Sequence, residues 1–169
     1  MPVPPLILVV YATEHGCAGE VAREVAARLA ARGLAADVRR ADDAVTLDGY
    51  RGAVLGSAVD AGGLHRDARR FLRRHRDRLA ELPAAVFGMR PGPLEPEQAA
   101  ASHRQLDAAL AREPALRPFS TALFAGASEP SGHRFPFDPM PPSDVPDRDA
   151  VDTWADEVAE RLLRLGAAA

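Results

Sequence analysis

The chain has 169 residues, 47% of them hydrophobic and 27% charged, with a formal net charge of −3. That length supports one sizeable core and falls short of two ordinary domains, so a single domain over residues 1–169 is expected. The balance excludes a disordered chain and a strongly basic nucleic-acid binder. All 21 basic residues are arginine, which reads as compositional bias rather than chemistry.

Cys17 is the only cysteine, so an internal disulfide is excluded and a reducing compartment fits. The first residues carry no basic stretch, and the apolar run Leu6–Tyr11 is too short for a signal core or a membrane span. A cytoplasmic protein is the expectation.

Leu6–Tyr11 is a continuous, β-branched run, the pattern of a strand buried on both faces. A polar turn, Ala12–Ala18, leads into a helix over Gly19–Arg32, with Val21, Val25 and Leu29 on one stripe. Gly33 stops it. Ala35–Arg39 reads as a second strand and Gly52–Ser57 as a third, followed by a glycine-containing loop, Ala58–His65. A helix from Arg66 to about Leu82 turns Ala68, Phe71, Leu72 and Leu79 inward and ends at Pro83. Ala84–Gly88 is a fourth strand, Met89–Pro96 a proline-rich loop, Glu97–Arg112 a helix and Thr121–Ala125 a fifth strand. Ala127–Pro146 reads as irregular. Asp149–Leu165 closes the chain as a helix with Val151, Trp154, Val158, Leu162 and Leu165 on one face.

Strands alternating with helices through short links imply right-handed crossovers and a parallel sheet covered on both faces. Five strands fit the doubly wound order 2-1-3-4-5. That order sets the loops after the first and third strands side by side, with the loop after the fourth nearby. Thr13–Ala18, Ala58–His65 and Gly88–Pro93 are therefore the segments in which to look for a site. In the first, main-chain amides at a strand-to-helix turn favour an anion, Gly16 permits close approach and Thr13 offers a hydroxyl. Alone, this is an ordinary βα turn.

The wider pattern is more specific. VVYATEHG, then DGYRGAVLGSAVDAGGLHRDARRFL, AAVFGMRPGPL, FAGASEP and the terminal DRDAVDTWADEVAERL together resemble the flavodoxin-domain proteins of actinobacteria, related to the menaquinone-dependent protoporphyrinogen oxidase branch of the flavodoxins. The resemblance covers nearly the whole chain. It implies a flavodoxin-like α/β fold and FMN used for electron transfer or oxidation of a small substrate. It further implies that Thr13, His15, Gly16 and Cys17, flanked by Glu14 and Ala18, hold the FMN phosphate. Ser57, Ala58, Val59, Asp60, Ala61 and Gly62 then line one side of the flavin ring, and Gly88, Met89, Arg90 and Gly92 the other. FMN supplies the redox chemistry while the protein tunes it.

Three residues depart from the family pattern. Glu14 stands where Lys or Arg is common, Ala18 where a phosphate-bonding Ser or Thr is common, and Asp60 where an aromatic usually stacks on the ring. A lost hydrogen bond to a charged group costs about 1.5–3 kcal/mol, and a lost stack about 0.5–1.5 kcal/mol. Two carboxylates near a phosphate and a reduced flavin repel both. Hence two alternatives stay open: a degenerate flavodoxin fold serving as an accessory or binding subunit, and a cofactor-free enzyme using Cys17, His15 and Asp60 in the same crevice.

Cys17 sits at a helix start, where a thiol gains reactivity; the plainer reading is that it replaces a family serine. His15, Cys17, Asp60 and His65 are metal-ligand residue types on two neighbouring loops, but no spacing motif joins them, so no metal is expected. Arg66, Arg69, Arg70, Arg73, Arg74, Arg76 and Arg78 crowd one helix against Asp67 and Asp77. That face is either simply solvated or a docking surface for an acidic redox partner. Ser128–Pro146 holds six prolines with His133, Phe135 and Phe137; it is a connector, or a flap bringing Phe135 or Phe137 to the place Asp60 leaves without an aromatic.

Overall fold

The structure, a computed structural model, describes residues 3–13, 17–43, 46–60, 63–91, 95–126 and 147–167. Along the chain these form β1 (Leu6–Ala12), α1 (Cys17–Ala31), β2 (Ala35–Arg40), β3 (Gly52–Asp60), β4 (Gly63–Leu64), α2 (Arg66–Arg74), α3 (Arg76–Leu79), β5 (Ala84–Pro91), α4 (Pro96–Ala111), β6 (Ser120–Gly126) and α5 (Arg148–Ala167). The sheet order is β2-β1-β3-β5-β6, all parallel, with β4 folded back antiparallel on β3. This is the expected order 2-1-3-4-5, with β5 and β6 as the fourth and fifth strands and one short extra strand. No described helix is long and apolar enough to cross a membrane.

Alternation along β1 shows how the two faces are built. Leu8, Val10 and Ala12 face a core shared with Ala68, Phe71 and Leu72 of α2, Leu79 of α3 and Leu106 and Leu110 of α4. Ile7 and Val9 face the other core, with Val21, Val25 and Leu29 of α1 and Val151, Trp154, Val158 and Leu162 of α5. Both faces being covered is why the strands read as unbroken apolar runs.

Across that second core, Phe87, Phe124 and Trp154 meet with ring centroids 5.9–6.1 Å apart. The Trp154 indole N–H donates to Ser120 Oγ at 2.9 Å, which satisfies its one polar atom in an apolar setting. Phe87 lies over its neighbour in register, Gly56, so closely that a Cβ there would fall 2.1 Å from Phe87 Cζ. At the surface, Arg28 of α1 grips Asp156 of α5 in a fork, Nε to Oδ1 at 3.0 Å and Nη2 to Oδ2 at 2.6 Å, with Arg32 Nη2 3.3 Å from Oδ2. The Arg28 hydrogen bond, joined by Arg32, holds the Asp156 carboxyl below its ordinary value. This pins two helices that the chain separates by 128 residues.

Several elements differ from the sequence expectation. The helix expected over Arg66–Leu82 breaks at His75, whose backbone (φ −111°, ψ 19°) leaves the helical region while its ring packs on Phe71 at 4.8 Å. The loop expected over Ala58–His65 is largely a hairpin, with Val59 opposite Leu64 and Asp60 opposite Gly63. Val59 and Leu64 are buried, and that burial draws the segment onto α4 instead of leaving it open. Met89–Pro91, expected in a loop, continue β5 because they keep pairing with β6. Ala18 belongs to α1 rather than to the turn. Leu165, expected on the inward stripe, is 43% exposed, because the stripe's last buried residue on the sheet is Leu162.

Gly56→Ala is expected to lower unfolding free energy by about 1–3 kcal/mol or more, since a methyl there must displace the Phe87 ring. Urea denaturation checks this; unchanged stability would mean the ring has room to move.

Candidate functional site

The carboxyl ends of β1, β3 and β5 lie side by side. Ala12 is in register with Ser57, and Ser57 with Gly88. Thr13 follows β1 directly and Cys17 opens α1, both half-buried. The first amides of a helix have no partner within it, and the start of α1 puts its positive dipole end at this rim. Of the expected site residues, Glu14, His15, Gly16, Ala61, Gly62 and Gly92 lie outside the described residues, as do His133, Phe135 and Phe137.

The remaining positions divide by role. Ser57 is fully buried, its hydroxyl donating to the Ala58 carbonyl at 2.8 Å and accepting from the His65 amide at 3.0 Å. It ties the end of β3 to the start of α2. His65 caps α2, its Nδ1 accepting from the Asp67 amide at 3.1 Å. Val59 and Met89 are core side chains, 3% and 5% exposed, while Asp60 is exposed. Gly88 is needed as glycine, because a Cβ would lie 2.7 Å from Val59 Cγ2. Ala18 is fully enclosed, its methyl part of the α1–α5 core.

Arg90 lies near the end of β5. It is half-buried, and its Nη1 donates to the Val59 carbonyl at 3.3 Å. Its Nε is buried and has no hydrogen-bond partner among the described residues. Leaving a buried charged donor unmatched is costly.

Gly126, which sequence reasoning missed, ends β6 at the same rim. A Cβ there would come within 2.9 Å of Met89 Cε and 3.3 Å of Cys17 Cβ. Cys17, Met89 and Gly126 thus close one side of the rim in tight contact. Gly63, within the Ala58–His65 segment picked out from the sequence, has a φ of +104° that permits the return from β3 to β4. Among the described residues no three His, Cys, Asp or Glu side chains cluster as metal ligands.

Beside the rim, α2 exposes Arg66, Arg69, Arg70, Arg73 and Arg74, spaced i, i+3, i+4, i+7, i+8 and therefore one continuous stripe. Arg66 lies 3.8 Å from Asp67 and Arg73 3.6 Å from Glu113. Arg69, Arg70 and Arg74 pair with no carboxylate among the described residues.

A doubly wound parallel sheet whose chain diverges between β1 and β3 defines a class, and the comparisons place the chain within it. Residues 8–135 match the flavodoxin domain family, so the chain belongs to that family. The fold is similar to Megasphaera elsdenii flavodoxin in its two-electron reduced form (TM-score 0.60, 16% identity, covering 91% of this chain and 98% of that one). It is also similar to the Streptococcus pneumonia TIGR4 flavodoxin (TM-score 0.59, 20% identity, 92% and 99%). A third likeness is to rubredoxin oxygen:oxidoreductase from Desulfovibrio gigas (TM-score 0.62, 13% identity), with 95% of this chain covering 37% of that one. No curated protein matches the sequence.

Ala18→Thr restores the hydroxyl common in the family but adds two heavy atoms at a position with no free space. The expected outcome is a loss of about 1–3 kcal/mol, read as a lower Tm. A Tm equal to that of the native chain would show that the site accepts the hydroxyl.

Proposed function

We propose that the chain binds FMN at the rim formed by the ends of β1, β3 and β5 and uses it for electron transfer or oxidation of a small substrate. The observation that carries this reading is Arg90: a guanidinium on the third rim segment with a buried, unmatched Nε. The group fits, because an oxidised flavin offers carbonyl oxygens and a reduced one an anionic ring. Thr13 and Cys17, with the amides opening α1 at Ala18, would hold the phosphate, together with Glu14, His15 and Gly16 of the preceding turn. Ser57, Ala58, Val59, Asp60, Ala61 and Gly62 would form one wall and Gly88, Met89, Arg90 and Gly92 the other. Bound there, FMN would supply one- and two-electron redox chemistry.

In this chain's own residues, Arg90 would orient the ring and oppose the carboxylate of Asp60, and the Ser57–His65 tie would hold the hairpin at a fixed height. The Arg66–Arg74 stripe would meet an acidic protein partner, its charge raising the rate of encounter.

A second reading is a flavin-free accessory subunit in the same fold. Ala18 favours it, because a fully enclosed methyl offers no phosphate contact, and so does exposed Asp60 in the place of an aromatic.

Titrating FMN against the purified chain separates the two. The flavin reading expects saturable quenching of FMN fluorescence, weakened about tenfold or more by Arg90→Met, the scale of a lost hydrogen bond to a charged group. Arg90→Lys should restore part of the affinity by returning the charge. Absence of quenching by the native chain, with an unshifted flavin spectrum, would leave the accessory reading.

A further inference from the structure

At the other end of the sheet, where the strands begin, lies an open cavity of about 700 Å³. That is within the range of about 300–1,000 Å³ typical of small-molecule sites. The length of the strands puts it about 20 Å from the flavin rim. Its walls come from the segments entering β1, β3, β5 and β6 and from the last turns of α5.

The lining is divided between apolar floor and cationic edge. Pro5, Leu82, Phe119, Leu162 and Leu165 supply apolar surface. Leu165 is 43% exposed here, at the end of a helix whose other stripe residues are buried. The floor is shaped by Gly52, where a Cβ would come within 2.9 Å of Leu162 Cδ2 and 3.2 Å of Ile7 Cδ1.

At the edge stand Arg51, Arg78 and Arg117 against one acid, Glu81. Arg78 is committed, with Nη1 3.1 Å from Glu81 Oε2 and Nη2 donating to the Tyr50 carbonyl at 3.4 Å. Arg51 and Arg117 are exposed and pair with no carboxylate among the described residues. A fourth guanidinium, Arg161, stacks on the Phe119 ring 5.2 Å from its centroid and holds that wall in place.

We propose that this cavity binds a small amphipathic anion: an apolar ring or short acyl chain ending in one carboxylate or sulfonate, the apolar body on Phe119 and Leu165 and the anionic end between Arg51 and Arg117. An apolar pocket alone accepts any greasy molecule. Two guanidinium groups at its edge, unpaired among the described residues, select the charged one, since removing a ligand's anion forfeits both interactions while keeping the area. The site is separate from the flavin rim, and it stands whether or not FMN binds.

The test uses the full chain and 8-anilinonaphthalene-1-sulfonate as probe, with decanoate and decanol as competitors. The site expects saturable fluorescence enhancement at one probe per chain. Decanoate should displace the probe at least tenfold better than decanol. Arg51→Glu/Arg117→Glu should weaken probe binding at least tenfold at unchanged Tm, and Leu165→Asp should weaken it comparably. Arg69→Glu/Arg70→Glu, on α2, should leave probe binding as in the native chain. Non-saturable enhancement, equal competition by decanol and decanoate, or undiminished binding in the Arg51/Arg117 variant would each overturn the proposal. So would an equal loss in the α2 variant, which would reduce the effect to overall charge.

Discussion

Adjacent strands β1 and β3 send their chains to opposite faces of the sheet, and the rest of the molecule follows from that divergence. After β1 the chain enters α1, which packs with α5 on one face; after β3 it enters α2, which packs with α4 on the other. In a doubly wound sheet such a divergence is where a crevice forms, at the carboxyl edge. The divergence is stable because each face has its own apolar core. The aromatic group of Phe87, Phe124 and Trp154 fills one, and the α2 and α4 leucines fill the other.

Among the described residues, the carboxyl edge is built from paired strand ends more than from loops. The segment after β3 is drawn into a hairpin whose Val59 and Leu64 are buried, and Ser57 spends its hydroxyl holding that hairpin to α2. The segment after β5 stays in the sheet through Pro91. The strand ends at this edge are fixed by pairing, and the side chains of Val59, Met89 and Ala18 are committed to packing.

The sequence made the sheet order legible because buried parallel strands leave unbroken β-branched runs, and LILVVY and GAVLGS are plain examples. The helix stripes were legible too: Val21, Val25 and Leu29 lie where their spacing puts them, and so do Ala68, Phe71, Leu72 and Leu79. The hairpin was not, since two-residue β4 is too short to show a period, and Gly63 reads as loop until its partner Asp60 is known. Gly56 and Gly126 were equally silent, because the need for glycine there is set by Phe87, Met89 and Cys17, which only the fold brings close. In the candidate site, position along the chain identified Arg90 as a rim residue. That its Nε lacks an acceptor is a property of packing, which no local pattern encodes.

The two ends of the sheet thus differ: the carboxyl edge holds the start of α1 and Arg90 among its described residues, the amino edge an apolar hollow edged by arginines. The account's central claim, that the carboxyl edge is the FMN site, is tested most directly by amide chemical-shift mapping of the 15N-labelled chain during addition of FMN. The account predicts that the largest shifts fall on Thr13, Cys17, Asp60 and Arg90, with Arg51, Arg117 and Gly166 unmoved. Shifts confined to the amino edge, or none anywhere at saturating FMN, would contradict it.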